Sequence, residues 1–167
     1  MDVINQRGLT FSFAIGAGGT AGAVLAAGTT TTFSTTNIVT GCIGGKSIVA
    51  YAAQTNTASP TTDVNTAAAF TAIPVGSCSV FVWGVNAAGT LKVAQGSTEL
   101  LDASGNFVIA PAFPVLPTDF CPFAYQLVRV GSTGSAWTFG TSNQATLPGV
   151  THARISISTL PDKPQTS

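Results

Sequence analysis

Residues 80–85 read Val80-Phe81-Val82-Trp83-Gly84-Val85. In an extended chain Val80 and Val82 point one way while Phe81, Trp83 and Val85 point the other, so both faces are apolar. A strand with a single buried face alternates apolar and polar residues; one apolar on both faces belongs in the middle of a sheet covered on each side. The next five residues, Asn86-Ala87-Ala88-Gly89-Thr90, lead into the strand-like run 91–95. Their length, and Gly89 near the end, predict a hairpin with a left-handed residue before the second strand.

Outward from this hairpin, short β-branched and aromatic runs are separated by Gly, Pro, Asn and Asp, the pattern of an all-β antiparallel sandwich or barrel. Strands are expected at 9–15, 30–34, 37–40, 47–53, 79–85, 91–95, 107–109, 123–130, 136–139 and 151–158. One helical turn is expected at 64–71, capped by Asp63 and ended by Pro74. In 151–158, Thr151, Ala153, Ile155 and Ile157 alternate with His152, Arg154, Ser156 and Ser158, which predicts a half-buried strand with a wet or partner-facing side. Residues 110–122 contain Pro111, Pro114, Pro117 and Pro122 and should form an extended loop or edge crossing whose apolar side chains need cover.

Only 7% of the 167 residues are charged, six basic and six acidic, against 45% hydrophobic. A soluble domain usually carries charge on roughly a quarter to a third of its surface residues. Here polarity must come from Thr, Ser, Asn, Gln and backbone, which give little repulsion between copies. The chain therefore reads as a protein built to live inside an assembly, with itself as first partner, as a homotrimer. Zero net charge and scattered basic residues leave no patch for direct binding to nucleic acid or to an anionic membrane surface.

The apolar stretch 11–28 raises the question of a signal peptide or a membrane span. A span needs about twenty residues, and Gly16, Gly18, Gly19 and Gly22 make a poor isolated helix, so an ordered part of the mature fold is expected. The resulting division is an N-terminal arm or first strand at 1–28, a β-sandwich domain at 29–161 and a tail at 162–167. In the arm, Leu9, Phe11, Phe13 and Ile15 are candidate interaction residues, since an apolar strand beside a Gly- and Ala-rich stretch suits addition to a neighbouring sheet edge. Deleting the arm should then leave the sandwich folded. In the proline-rich segment Phe113, Val115 and Leu116 are the corresponding candidates.

Residues able to do chemistry are few. His152 is the sole histidine, no nucleophile-elbow motif accompanies it, and its strand neighbours suggest a half-exposed surface position. Glu99 and Asp102 come near each other in sequence but fall where a turn is expected. Gly16, Gly18 and Gly22 miss the dinucleotide-loop spacing, and no βαβ pattern follows. Phe81, Trp83, Phe123, Tyr125, Trp137 and Phe139 lie in apolar strands and are expected in the core rather than on a sugar-binding platform. Cys42, Cys78 and Cys121 are isolated and odd in number, which predicts buried free thiols in a reducing compartment. The expectation is a protein without catalytic residues, cofactor or metal.

Three segments carry a resemblance: VFVWGVNAAGTLKVAQG at 80–96, CPFAYQLVRVGSTGSAWTFGTSN at 121–143 and STLPDKP at 158–164. In phrasing and order they resemble a group of small virion proteins of tailed bacteriophages. That group has a core hairpin with a Gly-Thr turn, a proline-containing strand, a Phe-Thr-Phe-Gly-Thr type segment and a closing tail in which Leu-Pro and a basic residue precede proline. The resemblance covers roughly the second half of the chain and leaves the arm outside. It implies a capsid decoration or cement protein with a jelly-roll-like sandwich, made in the host cytoplasm and placed on the outer capsid surface, with the major capsid protein as partner. A fibre, tail or baseplate module that binds a receptor or glycan is the alternative it implies.

Overall fold

The computed structural model describes residues 11–15, 25–36, 38–43, 46–47, 51–145, 147–157 and 164. Its strands are β1 (Phe11–Ile15), β2 (Leu25–Ala27), β3 (Thr32–Thr35), β4 (Ile38–Ile43), β5 (Lys46–Ser47), β6 (Gln54–Ala58), β7 (Ser77–Asn86), β8 (Leu91–Leu100), β9 (Phe120–Val130) and β10 (Val150–Ser156). All pair antiparallel, in a four-stranded sheet ordered β10-β9-β7-β8 and two three-stranded sheets, β1-β4-β5 and β2-β3-β6. The fold is all-β and sandwich-like, with no helix among the described residues.

β7 lies between β9 and β8 and is buried from Ser77 to Val85, as the doubly apolar pattern of 80–85 requires. One face sends Phe81, Trp83 and Val85, with Phe123, Val128 and Val130 of β9, into a core shared with Leu25 of β2, Phe33 of β3 and Val39 of β4. Two irregular segments add Phe70, Ile73, Trp137 and Phe139. Their rings interlock, Phe139 against Phe81 at 4.8 Å and Phe70 at 4.7 Å, and Phe33 against Trp83 at 5.0 Å. Close ring pairs of this kind add roughly 0.5–1.5 kcal/mol each beyond the area they bury. The opposite face carries Val80, Val82, Phe120, Tyr125 and Leu127, against which Phe107, Phe113, Leu116, Ala153, Ile155 and Ile157 pack. The proline-rich loop thus helps cover the sheet's second face, and this is the cover its apolar residues find.

The hairpin forms as expected. Asn86 N–H donates to the Thr90 carbonyl (3.0 Å), Gly89 N–H donates to the Asn86 carbonyl (2.8 Å), and Gly89 is left-handed at φ 74°. The Asn86 side chain closes it by accepting from Ala88 and Thr90 N–H.

Several elements differ from expectation. Residues 64–71 form a tight turn and not a helix: Ala67 is left-handed, Asp63 N–H donates to the Ala68 carbonyl, and Thr62 bridges Ala69. Asp63 does accept from the N–H groups of Asn65 and Thr66, but its other oxygen takes Gln95 N–H. The capping side chain therefore pins the turn to β8 instead of starting a helix. Residues 107–109 and 136–139 make only single bridges, Phe107 to Leu101 and Trp137 to Ile73. Of 47–53, Ser47 ends β5 and Tyr51 bridges Val39, while 48–50 lie outside the described residues.

The loop expected to run to residue 122 ends earlier, because Phe120, Cys121 and Pro122 belong to β9. Proline is tolerated there for two reasons. β10 pairing ends at Ala124, and opposite β7 the register passes from Trp83↔Ala124 to Gly84↔Pro122, leaving Phe123 as the extra residue of a bulge. Gly84 is required at this point, since a β-carbon there would run into the Phe120 ring and lie 2.7 Å from the Cys121 carbonyl.

β1 pairs with β4 of its own chain, from Phe11↔Cys42 to Ile15↔Ile38, and both strands lie against β9. β2 precedes the boundary expected at residue 28, yet Leu25 is buried in the main core. Cys78 is a buried free thiol and Cys121 is buried as well; the Cys42 side chain lies outside the described residues.

Candidate functional site

His152, Arg154 and Ser156 were expected on a wet or partner-facing side of a half-buried strand, and β10 is half-buried. The segment around Gln144 lies over His152 and Arg154. Gln126 of β9, which pairs with Arg154, donates from Nε2 to Gln144 Oε1 (2.9 Å) and to His152 Nδ1 (3.0 Å). Arg154 Nη2 donates to the Gln144 carbonyl and, at 3.3 Å, to its Oε1. Trp137 packs edge-on to the imidazole at 5.3 Å and donates from Nε1 to the Asn143 carbonyl.

Burial, with the nearby Arg154 charge as the smaller cause, lowers the His152 pKa to about 4, and burial lowers that of Arg154 to about 10. Because Nδ1 accepts from Gln126, the ring proton sits on Nε2. The lone pair a general base would use is therefore engaged. Nε2 is buried without a partner, as are Gln126 Oε1 and Gln144 Nε2. The cluster clamps the Gln144 segment to the sheet, and His152 is one of its members, half-buried as its strand position predicts.

The carboxylates separate. Asp102 forms an exposed turn, accepting at Oδ1 from the N–H groups of Ser104 and Asn106 (both 2.8 Å), and these backbone bonds, Asn106 first, hold its pKa below the usual value. Glu99 lies in β8 opposite Cys78 and not in the turn. Asp63 is buried and wholly engaged with backbone N–H groups. It walls a cleft of about 230 Å³ with Thr66, Thr71, Gln95 and Thr98. A wider groove of about 570 Å³ runs between Tyr51, Pro60 and the Gly89 turn, with Lys92 as the charged group on its wall. Among the described residues no group of three His, Cys, Asp or Glu side chains could hold a metal ion, and no helix is long and apolar enough to cross a membrane.

The interaction candidates fall into three sets. Leu9 lies outside the described residues, and Phe11, Phe13 and Ile15 are described only as the backbone of β1. Phe113 and Leu116 are half-buried against the sheet's second face, Phe113 edge-on to Tyr125 at 5.2 Å. Val115 between them points outward, 88% exposed. The structure adds three that the sequence reading missed: Leu100 is 68% exposed, and Val108 and Ile109 are each 64% exposed. Val108 N–H donates to the Leu100 carbonyl, so these side chains share the end of β8. Beside them the Arg129 guanidinium lies 4.2 Å above the Phe107 ring.

The outer edge of β8 is occupied over much of its length. Val64 N–H donates to the Val93 carbonyl, Gln95 N–H goes to Asp63, and Ser97 N–H goes to the Ala112 carbonyl. Ala112 N–H returns a bond to Ser97 Oγ (2.8 Å). The proline-rich loop approaches so closely at Gly96 that a β-carbon there would strike the Ala112 carbonyl. Beyond these bonds, the end of β8 carries the exposed apolar side chains of Leu100, Val108 and Ile109.

Comparison with protein-family models, with curated proteins and with solved structures finds no match to this chain.

Proposed function

We propose that this chain is a structural virion protein, a decoration or cement protein that binds the outer surface of a phage head and stabilises the shell, with itself as a homotrimer and the major capsid protein as partners. The observation that carries this reading is the set of strongly exposed apolar side chains, Leu100, Val108, Ile109 and Val115, on a chain with only six basic and six acidic residues. Such a surface is protected by assembly rather than by charge. The resemblance of 80–96, 121–143 and 158–164 to small phage virion proteins supports the same reading, and the jelly-roll-like form of the sandwich is part of it. The engaged nitrogen of His152 and the dispersed carboxylates favour a role without catalysis.

A tail, fibre or baseplate module that binds a receptor or glycan has less support. Phe81, Trp83, Phe123, Tyr125, Trp137 and Phe139 are all buried, and none offers a face for a sugar to stack on. Immunogold labelling of virions separates the two. Label spread over the head is expected; label at the tail transfers the protein to the fibre reading, and unlabelled virions overturn both.

A further inference from the structure

We infer that the apolar end built from Leu100, Val108 and Ile109 is the surface through which copies of this chain contact one another. The inference rests on the reading of the chain as an assembly protein and names the partner of that surface. Three observations support a second copy. First, the three side chains together expose on the order of 350 Å², judged from their fractional exposures. That is a little under half of the roughly 800 Å² each partner contributes to a stable interface, and the half-buried Phe107, which bridges Leu101, adjoins it.

Second, the flanking charge is self-complementary. Glu99 of β8 and Arg129 of β9 both pair in register with Cys78 of β7, so an acid and a base stand in one row across the sheet at this end. Two copies can set acid against base here, and a chain of zero net charge does not repel itself. Third, contact by strand addition is blocked along much of β8, whose outer edge is bonded to Val64, Asp63 and Ala112. The contact is therefore made by side chains.

The test uses the full chain and its double variant Val108→Asp/Ile109→Asp, examined by native mass spectrometry and sedimentation velocity at micromolar concentration, with circular dichroism and melting as controls for folding. The wild type should be oligomeric and the variant monomeric at the same concentration, its dissociation constant raised at least tenfold, with melting unchanged. A monomeric wild type, or a variant that keeps the oligomer, overturns the inference. If the double variant misfolds, Leu100→Ser and Ile109→Ser, each at an exposed position, are read in its place by the same criteria. Binding of the same proteins to undecorated heads separates the two ideas. Loss of head binding with the oligomer intact assigns this end to the shell, against the inference but not against decoration. Loss of the oligomer as expected, combined with unlabelled virions, removes decoration and leaves the self-contact standing.

Discussion

The imidazole of His152 shows what a residue type alone does not reveal. Alternation along 151–158 places it on the polar, wet or partner-facing side of a half-buried strand, and it is half-buried there; what the alternation does not name is the group that covers it. Its cover comes from Gln144, a polar residue in an irregular segment, and no periodicity marks such a partner. Arg154, the cation on the same face, lowers rather than supports imidazole protonation. A titration follows with a definite sign. The ring has a pKa of about 4 in the folded protein against 6.5 ordinarily, so the unfolded chain binds the proton more readily between those values. The stabilisation from keeping the ring neutral is complete above about pH 6.5 and is lost as pH falls toward 4. By linkage this amounts to at most about 3 kcal/mol. Melting temperature should fall across that window for the wild type and stay flatter for His152→Gln, which retains an acceptor for Gln126 without a titrating ring. Parallel pH profiles for the two proteins would show that His152 is not the group responsible.

At the scale of the element, strands were legible where apolar side chains repeat with a period of two, and the β7 to β8 hairpin is the clearest case. β2 (Leu-Ala-Ala) and β6 (Gln-Thr-Asn-Thr-Ala) escaped detection because their sequences carry no such signal. Both are held by β3, and β6 joins it through a bulge, with Gln54 and Asn56 N–H donating to the Thr35 and Ser34 hydroxyls. The exposed apolar end was not legible either. The strand expected at 107–109 assigns no facing to Val108 and Ile109, and only packing shows that the second face is already covered by Phe107, Phe113 and Leu116. The turn at Asp63 shows how an element edge is controlled. One buried carboxylate satisfies three backbone donors on the turn and on β8, while Gln95 reciprocates by bonding both N–H and C=O of Thr71. Asp63→Ala strands all three donors and should cost about 2–4 kcal/mol, since a buried unpaired group costs roughly 1–3 kcal/mol. Chemical denaturation would measure the loss, and hydrogen exchange should quicken at the Gln95 amide. With the edge uncovered, the variant should also aggregate more readily. A variant as stable as the wild type would mean that water replaces the carboxylate there without loss.

At the scale of the whole molecule, the question is where the folded body begins. Composition suggested an arm ending near residue 28, because the Gly- and Ala-rich stretch lacks a pattern that could fold alone. The contacts place weight elsewhere: Leu25 is buried in the core with Phe33, Trp83 and Val150, and β1 pairs along five residues of β4. Removing residues 1–28 therefore takes away a strand from each three-stranded sheet and, among the described side chains, Leu25 from the core. Leu25→Ala alone should cost about 2–4 kcal/mol, the range for a buried leucine whose cavity only partly closes. The truncation should cost more and lower the melting temperature well below that of the point variant, whatever it does to assembly. Thermal melting of the full chain, Leu25→Ala and the truncated chain orders the three. A truncated protein that melts with the full chain but no longer self-associates would make the first 28 residues a separable attachment segment. It would also move the principal self-contact away from the end marked by Val108 and Ile109. The expected order, with stability falling in step with the core contacts removed, leaves that exposed end as the surface on which assembly depends.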